Sequence, residues 1–260
     1  MDKPDILPPE EGKALHLSLG DHLLELRRRL MWVFLAMISG MIVCWFFAED
    51  IYGFLVTPLA EAMSATGGTN RLIYTNLTEA FFTYLRVSFF AGVFLTFPVL
   101  LVQIWKFVTP GLYQNERQAF FPYLIATPIL FFIGGAIVYF VVIPMAWPFF
   151  LSFQTGAEAT VLPVQLEARV SDYLDLVMTL IFAFGLCFQM PVILALLGRA
   201  GMLTASSLSS FRKYAVILIF TVAAFITPPD ILSQFMLAVP LMALYEISIL
   251  IVRHTEKKAP

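Results

Sequence analysis

Charged, histidine and cysteine residues are scarce in this 260-residue chain: charged residues make up 13%, with 3 histidines and 2 cysteines. Soluble domains carry about 25% charged residues, so the composition excludes a soluble enzyme and a disordered chain. The formal net charge of −2 gives no reason to expect nucleic acid as a partner. Cys44 and Cys187 lie inside apolar runs, with no second cysteine or histidine at ligand spacing, which favours two small buried side chains. We therefore predict no metal, no cofactor and no catalytic constellation.

Apolar residues, in contrast, make up 60% of the chain, including 26 phenylalanines. Long uncharged runs of this kind are typical of α-helical membrane proteins, because a helix of about 20 apolar residues crosses the hydrocarbon core. The sequence predicts an all-α polytopic membrane protein with one domain over residues 18–253, a flexible cytoplasmic tail over 1–17 and a second tail over 254–260. The predicted spans are about 30–48, 79–102, 119–143, 172–197, 214–227 and 231–250.

The last two predicted spans are short and are separated only by Pro228, Pro229 and Asp230. Because proline cannot continue a helix, this tripeptide predicts a tight helical hairpin. Two short spans also predict local thinning of the bilayer.

The distribution of lysine and arginine predicts the orientation of the spans. With six spans both termini share one side of the membrane, and only Arg71 and Arg169 fall on the opposite side. Since cytoplasmic loops carry an excess of positive charge, both termini are predicted to be cytoplasmic. The basic residues on the side of the termini are Lys3, Lys13, Arg27, Arg28, Arg29, Lys106, Arg117, Arg199, Arg212, Lys213, Arg253, Lys257 and Lys258.

The segment HLLELRRRL at residues 22–30 precedes the first span. Its leucines fall on one helical face and its charged residues on another, which predicts an amphipathic helix at the cytoplasmic interface that continues into the span. One interpretation makes Glu25 a binding carboxylate. The alternative is a solvated helix in which Arg28 or Arg29 neutralises Glu25 at i+3 or i+4.

The short loop over residues 103–117 carries Phe107 and the adjacent pair Glu116 and Arg117, with a Pro-Gly turn between them. These residues fit either a recognition loop or a plain surface ion pair beside an interfacial aromatic anchor.

Polar side chains also occur at membrane depth, and ionisable groups there are costly unless they are paired or functional. Glu79 and Arg86 are seven residues apart on one helix face and too far apart for direct contact. Interhelical hydrogen bonds that fix packing are the alternative interpretation, and it stays open for each of these positions. The residues concerned are Glu79, Arg86, Gln189, Gln234 and Glu246.

Five separated motifs resemble the TatC family, the multi-spanning subunit of the twin-arginine protein translocase. The resemblance runs in order from about residue 18 to 253. The motifs are HLLELRRRL at 22–30, IWKFVTPGLYQNER at 104–117, YFVVIPMA at 139–146, FGLCFQMPV at 184–192 and TPPDILSQFMLAVPLMALYEI at 227–247.

The resemblance implies six transmembrane helices in a concave, cupped arrangement in the bacterial cytoplasmic (inner) membrane. It implies a receptor for twin-arginine signal peptides that helps to export folded proteins with the proton-motive force, and not an enzyme. The implied partners are those signal peptides, single-span subunits of the TatA and TatB type, and further copies of the chain within the receptor complex.

The resemblance also implies roles for particular residues. Glu25, with Arg27 beside it, and Phe107 and Glu116 resemble the family's signal-peptide recognition residues. Pro58, Tyr139 and Asp230 fit characteristic family positions, and Thr227 and Gln234 resemble the region that docks partner helices. Gln189 stands where the family often has glutamate, so a mechanism that needs an ionisable group at that depth does not transfer directly.

The main alternative is a secondary transporter of small solutes or ions, supported by Glu79, Arg86 and Glu246. Against it stand the absence of a visible internal repeat and the small number of ionisable groups near the centre of any span.

Overall fold

The structure, a computed structural model, describes residues 19–65, 71–108, 114–154, 166–227 and 231–256. Ten α-helices and one π turn occupy most of these residues. They are α1 (Leu19–Phe46), α2 (Ala48–Ala65), α3 (Glu79–Val108), α4 (Gln114–Ile137), the π turn (Val138–Val142), α5 (Ile143–Leu151), α6 (Val170–Cys187), α7 (Met190–Arg199), α8 (Ala205–Ser210), α9 (Arg212–Ile226) and α10 (Ile231–Glu256).

Five helical stretches of the described chain are long and apolar enough to cross a membrane. They are Leu23–Phe46, Glu79–Phe107, Phe121–Leu151, Val170–Arg199 and Ser233–Glu256. The remaining apolar helix, α9, has 15 residues. At about 1.5 Å per residue it is shorter than a hydrocarbon core of roughly 30 Å.

Helices α1 and α3 pack together along a seam of small residues. A Cβ atom added to Gly92 would lie 2.5 Å from the backbone nitrogen of Met41, and one added to Gly40 would lie 2.8 Å from the Cγ2 of Thr96. The main chains therefore approach closely, as small residues allow at helix contacts in membranes. Most of α1 faces outward. Only 6% of its apolar segment is buried inside the protein, compared with 50% of the apolar segment of the fourth stretch.

The third stretch extends beyond the span predicted over 119–143. We expected the helix to stop before Pro144, but it continues through the π turn and α5 to Leu151. The N–H of Ile143 donates to the carbonyl of Val138, five residues back, so the backbone is already widened where the proline enters. A π turn of this kind accommodates a proline without ending the helix.

The fourth stretch is not one helix, as the span predicted over 172–197 implies, but α6 followed by α7. The main chain breaks at Phe188 and Gln189, and Pro191 lies in the first turn of α7. Proline lacks an N–H and fits the first turn of a helix, where that donor is not needed.

The prediction that both final spans are short is wrong for α10, which has 26 residues. Pro240 lies inside this helix without ending it. Glu246 accepts two hydrogen bonds from Arg212 at the start of α9, at 2.7 and 2.9 Å. This bidentate pair neutralises the charge within the helix, which ends at Glu256.

The first prediction concerns the seam between α1 and α3. We expect Gly92→Ala to lower the free energy of unfolding in detergent by about 1–3 kcal/mol, because the new methyl group meets backbone that cannot rotate away. Gly53→Ala in α2 is the matched control, since its Cβ has no neighbour within 4 Å. That variant should be neutral or slightly stabilised, since alanine favours helix. Equal stability of the two variants would contradict this packing.

Candidate functional site

The predicted recognition residues fall at one end of the helix bundle. Gly40 of α1 lies against Gly92 of the antiparallel α3. Glu25 lies fifteen residues before Gly40, and Phe107 lies fifteen residues after Gly92. Antiparallel helices have equal rise per residue, so Glu25 and Phe107 lie at about the same level. The half-buried Phe107 side chain and Glu25 therefore share one end of the α1–α3 pair.

Glu116 lies in the first turn of α4, and the five residues that join α3 to α4 are outside the described residues. The Glu116 side chain is also outside the described residues. Its backbone nevertheless lies at the end of α4 that follows directly from the end of α3, so Glu116 belongs to the same end of the bundle as Phe107.

Glu25 is paired within its own helix. The Nε of Arg29 donates to Oε1 of Glu25 at 3.1 Å, and the Nη2 of Arg29 contacts the same oxygen. Of the two arginines considered as partners, Arg29 at i+4 makes the contact. Arg27, which the resemblance places beside Glu25, is exposed on another face of α1. The resting site thus has a carboxylate already bound by a guanidinium.

Pro58 lies inside α2 and does not interrupt the helix. A proline at position 58 cannot donate to the carbonyl of Phe54, four residues earlier. The hydroxyl of Tyr139, in the π turn, donates to that carbonyl at 2.6 Å, and the Tyr139 ring stacks on the Phe54 ring at 4.1 Å. Tyr173 of α6 donates to the next carbonyl, that of Leu55, at 2.8 Å.

Pro58 and Tyr139 therefore form one structural unit, in which the hydroxyl replaces the N–H that proline lacks. Together with Tyr173 it fastens α2 to the third and fourth stretches. Spacing along the chain gave no sign of this pairing, because the residues are about 80 positions apart.

Glu79 is buried and joins the two polar segments that precede α3 and α6. It accepts hydrogen bonds from the N–H of Thr75 at 2.9 Å, the hydroxyl of Ser171 at 2.8 Å and Nη2 of Arg169 at 3.2 Å. A carboxylate in the first turn is also stabilised by the helix dipole. A parallel bridge between Ile73 and Arg169 holds the same two segments together.

The donation from Arg169 to Glu79 raises the pKa of the arginine. The hydrogen bonds and the ion pair of Glu79 match its interpretation as a tightly paired group.

Arg86 pairs with Asp175 of α6 through Nη1 and Oδ2 at 2.8 Å. Asp175 lies near the start of α6. The spacing of Arg86 from Glu79 placed both on one face of α3, yet it gave no indication that the partners of both come from the start of α6.

Gln189 occupies the break between α6 and α7. Its main-chain N–H donates to the carbonyl of Leu186, and its side-chain nitrogen donates to the carbonyls of Gly185 at 3.2 Å and of Thr127, in α4, at 3.1 Å. The carboxamide thus supplies a donor for Gly185 and connects two spans. These bonds match the packing interpretation of Gln189.

The side chain of Gln234 likewise connects two helices, since its nitrogen donates from α10 to the carbonyl of Phe220 in α9 at 3.0 Å. Thr227 is buried and bonds to the carbonyl of Ala223 at 2.9 Å. Asp230 lies outside the described residues. A shallow groove of about 540 Å³ runs along α9 beside Gln234, lined by Ile217, Phe220, Thr221 and Phe225.

Within the described part of the chain, no group of three or more histidine, cysteine or acidic side chains is arranged to hold a metal ion. The polar contacts described above instead bind helices to each other or present carboxylate and apolar surface at one end of the bundle. Such an arrangement suits recognition of a peptide or a helix.

The family profile described as "Sec-independent protein translocase protein (TatC)" matches residues 21–240. Two curated proteins of that description are close in sequence. The one from Magnetococcus marinus is 48% identical over 92% of this chain and 85% of its own length, and the one from Rickettsia prowazekii is 42% identical over 92% and 94%.

A solved structure is also similar to this chain. The crystal structure described as the twin-arginine translocase receptor TatC superimposes with a TM-score of 0.76 at 34% identity, covering 90% of this chain and 99% of its own.

The second prediction tests the unit formed by Pro58 and Tyr139. Tyr139→Phe removes the donor to the Phe54 carbonyl, and we expect a loss of about 1–3 kcal/mol in unfolding free energy. In a Pro58→Ala background the alanine N–H donates to that carbonyl instead, so the same change should cost less than about 0.5 kcal/mol there. Unfolding of the two single variants, the double variant and the parent in detergent measures the coupling, and strictly additive losses would contradict it.

Proposed function

The chain belongs to the TatC family of Sec-independent protein translocase proteins, and on that premise we propose that it is the signal-peptide receptor and core scaffold of a twin-arginine translocase. It exports folded proteins across the bacterial cytoplasmic membrane with the proton-motive force as the energy source. Its role is in protein transport and not in a known class of enzymes. The observation that supports the receptor role most directly is the position of Glu25, Phe107 and the start of α4 at one end of the bundle.

In this proposal the domain has six transmembrane helices in a cupped arrangement, with α9 as the fifth crossing. The length of α9, 15 residues, means that the bilayer thins where α9 crosses it. The termini lie in the cytoplasm, as the excess of lysine and arginine on their side favours. The recognition end of α1 then faces the compartment from which an unexported protein arrives.

The chemistry of the recognition end fits paired arginines. A guanidinium binds a carboxylate through two parallel hydrogen bonds, a geometry that the ammonium group of lysine cannot reproduce. We assign one arginine of the signal peptide to Glu25 and the other to Glu116, with Arg27 at the edge of the site. Phe107, at the level of Glu25, provides apolar surface for the residues that follow the arginines.

The pairing of Glu25 with Arg29 gives this site an exchange mechanism. In the free receptor Arg29 occupies the carboxylate. The incoming guanidinium replaces one charge-assisted bond with another, so Glu25 is never left unpaired in a partly buried position. Binding then favours a ligand that makes a better hydrogen-bond geometry than Arg29 makes within its own helix.

Single-span subunits of the TatA and TatB type dock on the groove beside α9. The groove is apolar apart from Thr221 and Gln234, and Phe225 is 87% exposed. Thr227 and Gln234 hold the α9–α10 pair in place, so the groove keeps one shape for a partner helix. Further copies of the chain complete the receptor complex.

The alternative of a small-solute transporter loses its main support. Glu79, Arg86 and Glu246 are each paired with a residue of the opposite charge, and the family assignment is to protein translocation.

The third prediction tests the recognition carboxylates. We expect Glu25→Gln and Glu116→Gln each to weaken binding of an Arg-Arg signal peptide by about tenfold or more, since a charge-assisted hydrogen bond contributes about 1.5–3 kcal/mol. The double variant should no longer distinguish Arg-Arg from Lys-Lys peptides in a fluorescence binding assay. Retained preference for Arg-Arg in the double variant would refute the assignment.

A pair of arginine variants serves as the control for net charge. Arg29→Gln frees Glu25, and we expect about twofold tighter binding, which corresponds to the roughly 0.3–0.5 kcal/mol of an i,i+4 pair. Arg28→Gln removes the same charge from an exposed neighbour and should change binding less. Equal effects would show that net charge and not exchange at Glu25 governs affinity.

The fourth prediction concerns the partner groove. A photoreactive amino acid at Phe225 should capture a single-span subunit in native membranes, and Gln234→Leu should reduce the yield by loosening α10 from α9. The control position is Phe46, which is 80% exposed on α1. Capture of the single-span subunit at Phe46 but not at Phe225 would place the docking surface elsewhere.

A further inference from the structure

Two neighbouring cavities lie beside the start of α3, and the proposed receptor role uses neither of them. The first, of about 330 Å³, is polar and is lined among others by Glu79, Arg86, Arg169, Asp172 and Asp175. The second, of about 390 Å³, is apolar and is lined by Met41, Leu85, Phe89, Phe90 and Met178. Both volumes are in the range of small-molecule sites in proteins.

The ion pair of Arg86 and Asp175 lines both cavities, so they adjoin at this pair. The two side chains are 57% and 50% exposed, and Arg86 makes the contact through one terminal nitrogen. The guanidinium has five N–H donors in all. It therefore has further donors to offer to a ligand that lies against the pair.

Along the helices the polar cavity comes first and the apolar cavity second. This is also the order of the headgroup and the acyl chains of an amphiphile that lies in a bilayer. Glu79 begins α3, and Phe89 and Phe90 lie about three turns further along the span. In α6, Asp172 and Asp175 likewise precede Met178. The polar cavity is thus at the end of the span, where lipid headgroups lie, and the apolar cavity is nearer the centre, where acyl chains lie.

The charges around the polar cavity favour a zwitterionic headgroup. Three carboxylates, of Glu79, Asp172 and Asp175, and two guanidiniums, of Arg86 and Arg169, surround it. Glu79 and Arg169 bind each other at 3.2 Å, and Asp172 lies farther from Arg169, at 3.9 Å. Asp175 binds Arg86, so three acids share two bases. A phosphate fits the guanidinium of Arg86, while a primary ammonium, with three donors, fits the two carboxylates. A purely anionic headgroup would add negative charge to a site whose acids already outnumber its bases.

We propose that this two-part cleft binds one ammonium-bearing zwitterionic phospholipid of the phosphatidylethanolamine type. Its phosphate lies on Arg86, its ammonium on Asp172 and Asp175, and one acyl chain lies among Met41, Leu85 and Phe89. The lipid fills the space between α1, α3 and α6 at the end of the bundle opposite the recognition residues. Its binding requires neither a signal peptide nor a partner subunit.

Native mass spectrometry of the purified chain in detergent, titrated with phosphatidylethanolamine or phosphatidylglycerol, tests the proposal. The unmodified protein should bind one phosphatidylethanolamine at least about tenfold more tightly than phosphatidylglycerol. Arg86→Gln should weaken both lipids, because it removes the phosphate partner. Asp175→Asn should weaken phosphatidylethanolamine selectively, and it retains an oxygen that accepts from Arg86, so the helices stay joined.

Two further variants keep the test independent of folding. Leu85→Trp fills the apolar cavity without altering the charges, and it should reduce phosphatidylethanolamine binding about tenfold. Arg212→Gln breaks an ion pair of similar exposure elsewhere in the chain and should leave lipid binding unchanged. Each variant is compared only after its elution volume on size exclusion matches the parent. Equal binding of the two lipids, or phosphatidylethanolamine binding unaffected by Arg86→Gln and Leu85→Trp, would overturn the proposal.

Discussion

Main-chain carbonyl groups that lack a helical donor are the constraint around which this structure is built. Prolines lie inside α2, α3, α4, α5 and α10, and a proline removes one donor from the helix in which it lies. In the hydrocarbon core no water replaces that donor, and an unsatisfied carbonyl costs several kcal/mol. The hydroxyl of Tyr139 bonds the carbonyl that Pro58 leaves free, and the side chain of Gln189 supplies the donor for Gly185 where α6 ends. The Tyr139 bond joins the π turn to α2, and the same nitrogen of Gln189 also donates to the carbonyl of Thr127 in α4. These side chains therefore both satisfy the backbone and hold the bundle together.

This constraint explains which features of the helices could be predicted from the sequence and which could not. Uncharged runs located the long helices, because apolar length alone decides whether a helix can cross a bilayer. The helix was predicted to end before Pro144, where a π turn lets it continue. The span over 172–197 was predicted as one helix, but the chain breaks at Phe188 and Gln189, just before Pro191. The pairing of Glu246 with Arg212 could not be predicted, because these residues lie 34 positions apart in different helices.

The contacts of the candidate site also divide into those that the sequence predicts and those that it does not. The level shared by Glu25 and Phe107 follows from helix periodicity once the contact of Gly40 with Gly92 is known, but no pattern within either segment reveals that contact. The i+4 pairing of Glu25 with Arg29 is local and was foreseen as one of two choices. The contacts of Glu79 with Arg169 and of Arg86 with Asp175 join positions about 90 residues apart. Such partners depend on how the spans pack, and the sequence could show only that charges at this depth need partners.

The glycine seam in the middle of the bundle also sets the geometry of the proposed receptor site. Glu25 is held on α1, whose outer face is largely unburied, and Phe107 is held on α3. Their relative height depends on the register of these two helices, and Gly40 and Gly92 fix that register by allowing the backbones to touch. A bulkier residue at the seam would separate or shift the helices, and that displacement would carry to the membrane surface because helices are rigid over this length. Gly40 and Gly92 therefore decide how far Glu25 lies from Phe107. Each glycine is fifteen positions from the site residue of its own helix.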